Sequence, residues 1–286
     1  LDREEPEFVR KRKARFKRSK EYTDFEKEVS AAAGRLEQSN FETVEIISRD
    51  GIRLVGHWYP CQHPRRIVIA MHGWRSSWSR DFGTVADFWF QNHCNVLFAE
   101  QRGQNNSGGD YMGFGMLERY DCLDWVQWVD ARFNGKLPIY LGGLSMGATT
   151  VLMAAGLGIP QTVHGIVADC GFTSPHEIWK YVTKKNLHLP YGIHGIFAND
   201  LCRKRIHIGA KDCSSVDALR DCTVPVLFIH GTDDRLVPIE MTYENYKACN
   251  APKRLFVVPG ADHAMSYHID KTGYESAVKQ FWQEYD

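Results

Sequence analysis

One stretch limits the fold of this chain more than any other: Pro138-Ile-Tyr-Leu-Gly-Gly-Leu-Ser-Met-Gly-Ala-Thr-Thr-Val-Leu-Met-Ala-Ala-Gly156. It reads as an apolar run, a tight serine between glycines, and an alanine-rich helical run. Within it, residues 143–147 fit the pattern G-x-S-x-G, in which a strand turns sharply into a helix and holds the serine above the sheet edge. The serine backbone is strained in such a turn. Side chains at the two flanking positions would strike the neighbouring strand and helix, so Gly143 and Gly147 suit it. Ile139 to Leu141 is a short apolar strand candidate and Ala148 to Leu157 holds strong helix formers, so both required elements are present. A glycine-rich loop before a helix is the plain alternative, and Ser145 needs partners before it means chemistry.

Strand and helix alternate around this segment. Thr43 to Ser48 and Ile52 to Tyr59, joined through Asp50-Gly51, predict an antiparallel hairpin. Ile67 to Met71 is a continuous apolar run of the kind found in strands covered on both faces. A helix over about Asp81 to Asn92 follows, then a strand at Asn95 to Ala99, an amphipathic helix from Leu117 to Arg132, and a strand at Val163 to Ala168. After residue 217 come strands at Pro225 to Ile229 and Lys253 to Val258, with helices at Ile239 to Cys249 and Gly273 to Tyr285. This pattern predicts an α/β fold with a mostly parallel central sheet and helices on both faces. Right-handed crossovers then put every strand's C-terminal end on one edge, where ligands bind in open α/β sheets.

Two segments depart from the alternation. Residues 1–40 are expected to form a polar, basic helical arm and 41–286 the main domain. A long segment at about 172–217 is expected to form a helical cap over the site. Its Trp179, Tyr181 and Phe197 are the candidates for an apolar substrate pocket. The arm carries nine Lys/Arg and four Asp/Glu in its first twenty residues, a net of +5 that the remainder balances at −5. That run could touch anionic lipid, and the alternative is a solvated arm that packs Phe8, Phe16, Tyr22 and Phe25 on the body. The overall net charge of zero argues against a nucleic-acid partner. No apolar run approaches the roughly 20 residues that span a bilayer. The chain opens on Leu1, with which an upstream leader or anchor is compatible.

The eight cysteines are scattered with no C-x-x-C pair, which reads as reduced thiols in a cytoplasmic setting. The twelve histidines include no H-E-x-x-H and form no Cys/His quartet at zinc spacing, so neither metal nor organic cofactor is expected.

A serine hydroxyl is a poor nucleophile until a base takes its proton, and the base works best with a carboxylate behind it. His263 follows the last strand and Asp234 the strand before it, so both project from the edge that carries Ser145. Asp233, one residue away, and Asp169, at the end of the strand after the elbow helix, are rival acids. His72 and His230, each before a glycine at a strand end, read as structural. The order Ser, Asp, His is that of the α/β-hydrolases. From about Thr43 onward the chain resembles that superfamily, and within it bacterial serine hydrolases related to the prolyl-oligopeptidase and acyl-esterase branches. The resemblance rests on His72-Gly73-Trp74, Gln101-Arg102-Gly103, Gly143 to Gly147, Asp169 to Ser174, His230 to Pro238 and Gly260 to His263. It implies Ser145 as nucleophile, His263 as base, Asp234 as acid, and the backbone N–H groups of Met146 and Trp74 as the oxyanion hole. The loop Gln104 to Gly109 departs from many relatives, which weakens the transfer of any substrate.

Three functions stay open. The first is a serine hydrolase that cleaves a small-molecule ester or related acyl bond through an acyl-serine. The second is a peptidase, restricted to short peptides because no propeller domain is present. The third is a binding protein that keeps the fold without catalysis.

Overall fold

The expected hairpin opens the sheet. The computed structural model describes residues 2–3, 20–186 and 188–286. Helix α1 (Lys20–Gln38) precedes β1 (Glu42–Ile47) and β2 (Arg53–Tyr59), which pair antiparallel around Gly51 at φ 84°. Then follow β3 (Arg66–Met71), α2 (Trp78–Gln91), β4 (Cys94–Ala99) and α3 (Glu118–Phe133). The elbow joins β5 (Ile139–Leu144) to α4 (Met146–Ala154), and β6 (Val163–Asp169) comes next. Between β6 and β7 the chain runs as α5 (Pro175–Tyr181), a π-helical turn at Val182–Asn186, α6 (Tyr191–Ile206) and α7 (Ser215–Arg220). It closes with β7 (Val226–Gly231), α8 (Ile239–Ala248), β8 (Lys253–Val258), a short α9 (Ser266–Ile269) and α10 (Lys271–Tyr285).

The eight strands form one sheet in the order β1-β2-β4-β3-β5-β6-β7-β8. β2 runs antiparallel to β4, and β3 to β8 are parallel, so their C-terminal ends share one edge. Burial on both faces explains the unbroken apolar run of β3: Ile67, Ile69 and Met71 point to one core and Val68 and Ala70 to the other. The first core lies under α3 and α4, with Trp125, Val126 and Val151. The second lies under α2 and α10, with Phe82 and Val85 opposite Val278 and Phe281.

α2 begins earlier than the sequence pattern suggests because the Ser77 hydroxyl accepts the Arg80 N–H and caps it. α1 lies directly against α2. The small residues Ala32 and Ala33 permit this: a Cβ at Gly83 would sit 2.8 Å from their backbone. Glu26 accepts from Arg80, and the Leu36 carbonyl accepts from the Tyr59 hydroxyl, which fasten the helix further. The basic run 10–18, with Phe8 and Phe16, lies outside the described residues. Among the described residues no helix is long and apolar enough to cross a membrane.

Candidate active site

The elbow has the geometry its glycines require. Ser145 sits at φ 55°, ψ −114°, a conformation that costs about 1–3 kcal/mol and persists only where its surroundings enforce it. Here the Ser145 N–H donates to the Asp169 carbonyl at 2.9 Å, and its own carbonyl accepts from Thr149 N–H at 3.0 Å. A Cβ at Gly143 would fall 2.4 Å from the Gly147 carbonyl oxygen, and one at Gly147 only 1.8 Å from the Met71 oxygen. Neither clash involves a side chain that could swing away.

Three loops at the same sheet edge bring polar groups to the serine. His263 Nε2 lies 3.0 Å from Ser145 Oγ, and its Nδ1 lies 2.7 Å from Asp234 Oδ2. The other carboxylate oxygen accepts from Leu236 and Val237 N–H at 2.9 and 2.8 Å. Asp233 is exposed and bonds to its neighbour Thr232, while Asp169 is buried against the Ser266 hydroxyl. Of the three acids considered, Asp234 is therefore the one hydrogen-bonded to the imidazole.

The loops also hold one another. A Cβ at Gly231 would lie 2.2 Å from the Ala261 oxygen, so glycine lets the histidine loop close on the end of β7. The Asp262 carboxylate accepts both His263 and Arg235 N–H, at 2.7 and 3.1 Å. Sequence reasoning passed over Asp262, for which a lone acid in a turn gives no signal. His230 lies 3.2 Å from Asp234 Oδ2 and also contacts Thr242 and the Val237 carbonyl. Its spacing four residues before Asp234 was the available clue. His72 bridges the Gly73 carbonyl and the Gln101 N–H and does not reach the serine.

Electrostatics follow from these contacts. Burial alone would raise the Asp234 carboxyl, but hydrogen bonds from His230 and His263, and the charge of His263, hold it well below the ordinary carboxylate range. Burial opposes protonation of His263, yet the hydrogen bond and charge of the Asp234 carboxylate outweigh it and lift the imidazole well above its ordinary value. Burial pushes Asp169 up to about 7 and the Cys170 thiol up to about 11. Cys170, Asp234 and His263 gather donor atoms within 4.8 Å of one another, a metal-like grouping. Asp234 and His263 already bond to each other and Cys170 holds its proton, so the set fits a proton relay better than an ion site.

Met146 opens α4, where the first N–H groups lack intrahelical acceptors. The loop after β3 abuts the serine: a Cβ at Gly73 would stand 3.5 Å from the Ser145 Cβ. Asp81 pins this loop by accepting the Gly73 N–H at 2.6 Å. Trp74, the next residue, is 40% exposed with its ring against Phe114.

A cavity of about 680 Å³ contains Ser145 and His263 and is walled on the outer side by Trp74, Phe114 and Trp179. Two pocket expectations need correction. Phe197 is 69% exposed and does not line the cavity, because α6 turns Tyr191, Gly195 and Cys202 inward and leaves the Phe197 face to solvent. Tyr181 is half-buried in the packing around Met146 and Ile178 and does not line the cavity. All eight cysteines are free thiols.

Fold and site together define an α/β hydrolase. Residues 62–205, half the chain, match the family model described as serine aminopeptidase, S33. The chain belongs to that family. It is 30% identical to YqkD of Bacillus subtilis over 187 residues, 65% of this chain and 61% of YqkD. It is 25% identical to YfhR of Escherichia coli over 230 residues, 78% of this chain and 73% of YfhR. The chain thus spans about three-fifths of the length of the first relative. Among solved structures, an esterase of Pyrococcus furiosus superposes with TM-score 0.71 at 23% identity, over 86% of this chain and 91% of that one. Est1E of Butyrivibrio proteoclasticus, with ferulic acid bound, gives 0.66 at 22% identity, over 86% and 99%. At these identities the likeness speaks for the fold.

Proposed function

We propose that this protein is a serine hydrolase that cleaves carboxylic esters through an acyl-serine intermediate. The observation that carries the reading is the continuous relay from Ser145 Oγ through His263 to Asp234, with steps of 3.0 and 2.7 Å. In the reaction, Ser145 Oγ attacks the ester carbonyl carbon as its proton passes to His263 Nε2. Asp234 stabilises the imidazolium and fixes the tautomer with Nδ1–H toward the carboxylate. The oxyanion is received by the N–H groups of Met146 and Trp74, each worth about 3 kcal/mol by analogy with measured donors. The intermediate collapses, the C–O bond to the alcohol breaks, and His263 returns its proton to the leaving alkoxide. Water, deprotonated by His263, then releases the acid and restores the serine.

The family description favours a second reading, cleavage of an amino-terminal residue from short peptides. Such a substrate presents an ammonium that needs a carboxylate partner. The acids at the cavity wall are otherwise engaged: Glu26 binds Arg80, Asp81 binds the Gly73 N–H and Ser76, and Asp169 accepts from the Ser266 hydroxyl. That favours the ester. The test is turnover of p-nitrophenyl esters beside aminoacyl-p-nitroanilides, each with wild type and Ser145→Ala. Ester cleavage lost in the variant supports the proposal; faster anilide cleavage by wild type would replace it with the peptidase.

A further inference from the structure

The cavity does not end beneath the helices between β6 and β7. From Ser145 it continues inward, between the sheet and the pair α2 and α10, to Val85 and Trp89 on one side and Val278 and Trp282 on the other. Its floor is the sheet itself, at Val68, Gly142 and Val167. Two details show open space where a core would be filled. Val167 lies in a central strand, hydrogen-bonded to β5 and β7 on either side, yet retains accessible surface. Gly142, in the strand that leads to the serine, has room above it: a Cβ there would meet only the Val68 side chain at 3.7 Å and the Ile69 oxygen at 3.9 Å. The neighbouring elbow glycines are forced by clashes, whereas Gly142 is under no such constraint and its lack of a side chain widens the chamber.

Protein cores leave few voids larger than a water molecule. An apolar chamber of this kind stays dry and takes apolar guests. The helices supply its walls at helical spacing, Val85 and Trp89 from α2 and Tyr274, Val278 and Trp282 from α10. At its deep end the Tyr140 hydroxyl donates to Asp286 at 3.2 Å, while the buried indole N–H of Trp282 has no hydrogen-bond partner among the described residues. The outer part of the cavity is different in kind, bordered by Arg75, Thr183 and His194.

We infer that the inner chamber beneath Ser145 receives a long apolar chain of the ester, so that the preferred substrates are long-chain esters whose tail lies between the sheet and helices α2 and α10. The inference rests on the serine-hydrolase reading and deepens it. It moves the specificity site away from the helices that follow β6, onto the strand that carries the nucleophile. Each methylene that enters should raise kcat/KM about fourfold until the chamber is full.

The experiment compares p-nitrophenyl alkanoates from two to sixteen carbons, and alkyl acetates over the same lengths, with wild type, Gly142→Leu and Val278→Trp. The two variants fill the chamber from opposite walls, so the result does not depend on either one folding. The expected result is a dodecanoyl-to-acetyl ratio of kcat/KM that falls at least about 30-fold in the variants, the worth of two to three buried methylenes. Length dependence in the alkyl acetates instead assigns the chamber to the alcohol half of the ester. Calorimetric titration of Ser145→Ala with dodecanoate, with and without Gly142→Leu, reads the chamber without turnover. Acetyl ester cleavage with a ratio unchanged by both variants, and no dodecanoate binding, overturns the chamber and leaves the hydrolase standing. Dodecanoate binding that Gly142→Leu abolishes, in a protein that cleaves no ester, keeps the chamber and removes the serine-hydrolase reading.

Discussion

Replacing Gly147 with alanine tests the elbow where its geometry is least forgiving. The added Cβ would lie 1.8 Å from the Met71 carbonyl oxygen, with the Met71 carbon at 2.5 Å and the His72 oxygen at 2.8 Å. Ordinary contact needs about 3.4 Å, so α4 must draw back from the end of β3 by more than an ångström. Both partners are backbone, so no rotamer change absorbs the strain. Overpacking of this kind costs about 3 kcal/mol or more, which lowers Tm by about 5 °C or more in a chain of this size. Ser145 opens the displaced helix, and a shift of about 1 Å at a nucleophile costs about 100-fold in rate. Gly142→Ala is the control, because its Cβ meets nothing closer than 3.7 Å. The assay pairs thermal unfolding with kcat/KM for a short ester. A Gly147→Ala protein with the Tm and rate of Gly142→Ala would refute the argument that the glycine is sterically required.

Asp234→Asn should lower kcat by about 10³–10⁴-fold, since the amide can hold the ring in the wrong tautomer, whereas Asp233→Asn should stay within about twofold. Steady-state kinetics on the two purified variants distinguish them. The acidic limb of the kcat/KM profile reports loss of the proton from His263, and because the Asp234 carboxylate raises that imidazole the limb's midpoint should lie above 6.5. In Asp234→Asn the midpoint should move down, which a pH series from 5 to 9 would show. His230→Asn should loosen the Asp234 carboxylate, lowering kcat with little change in KM and shifting the same limb; an unchanged limb would make His230 a packing residue only. Asp169→Asn should cost little activity, because its carboxylate bonds to Ser266 rather than His263.

Much of the fold was legible because the sequence states it twice, once in periodicity and once in punctuation. β3 announced itself as a double-faced strand, and Asp50-Gly51 announced the hairpin. The start of α2 was misplaced because Ser77 caps through its side chain, while the apolar pattern strengthens only later. Ser145, His263 and Asp234 were readable since each follows a strand and strand ends in a parallel sheet converge. The pocket was not readable. Aromatic content at Tyr181 and Phe197 says that a residue is large, while the phase of α6 decides which way it faces, and the helix places Phe197 outward. The inner chamber was hidden for the opposite reason. It is made by a residue with no side chain, Gly142, in a strand whose other glycine, Gly143, is demanded by the elbow, and sequence alone does not separate the two causes. The supporting contacts of Asp81 and Asp262 were likewise invisible, since each arises from a carboxylate accepting backbone N–H groups brought near by the fold.

The central claim is that Ser145 is the activated nucleophile, and covalent trapping tests it most directly. The wild-type protein is incubated with a fluorophosphonate, digested, and the modified peptide sequenced by mass spectrometry. The account predicts one phosphonyl group per chain, attached to Ser145, with labelling slowed at least about 100-fold in His263→Ala and absent in Ser145→Ala. A protein that remains unlabelled, or that carries the adduct on another residue while Ser145 stays free, would contradict it.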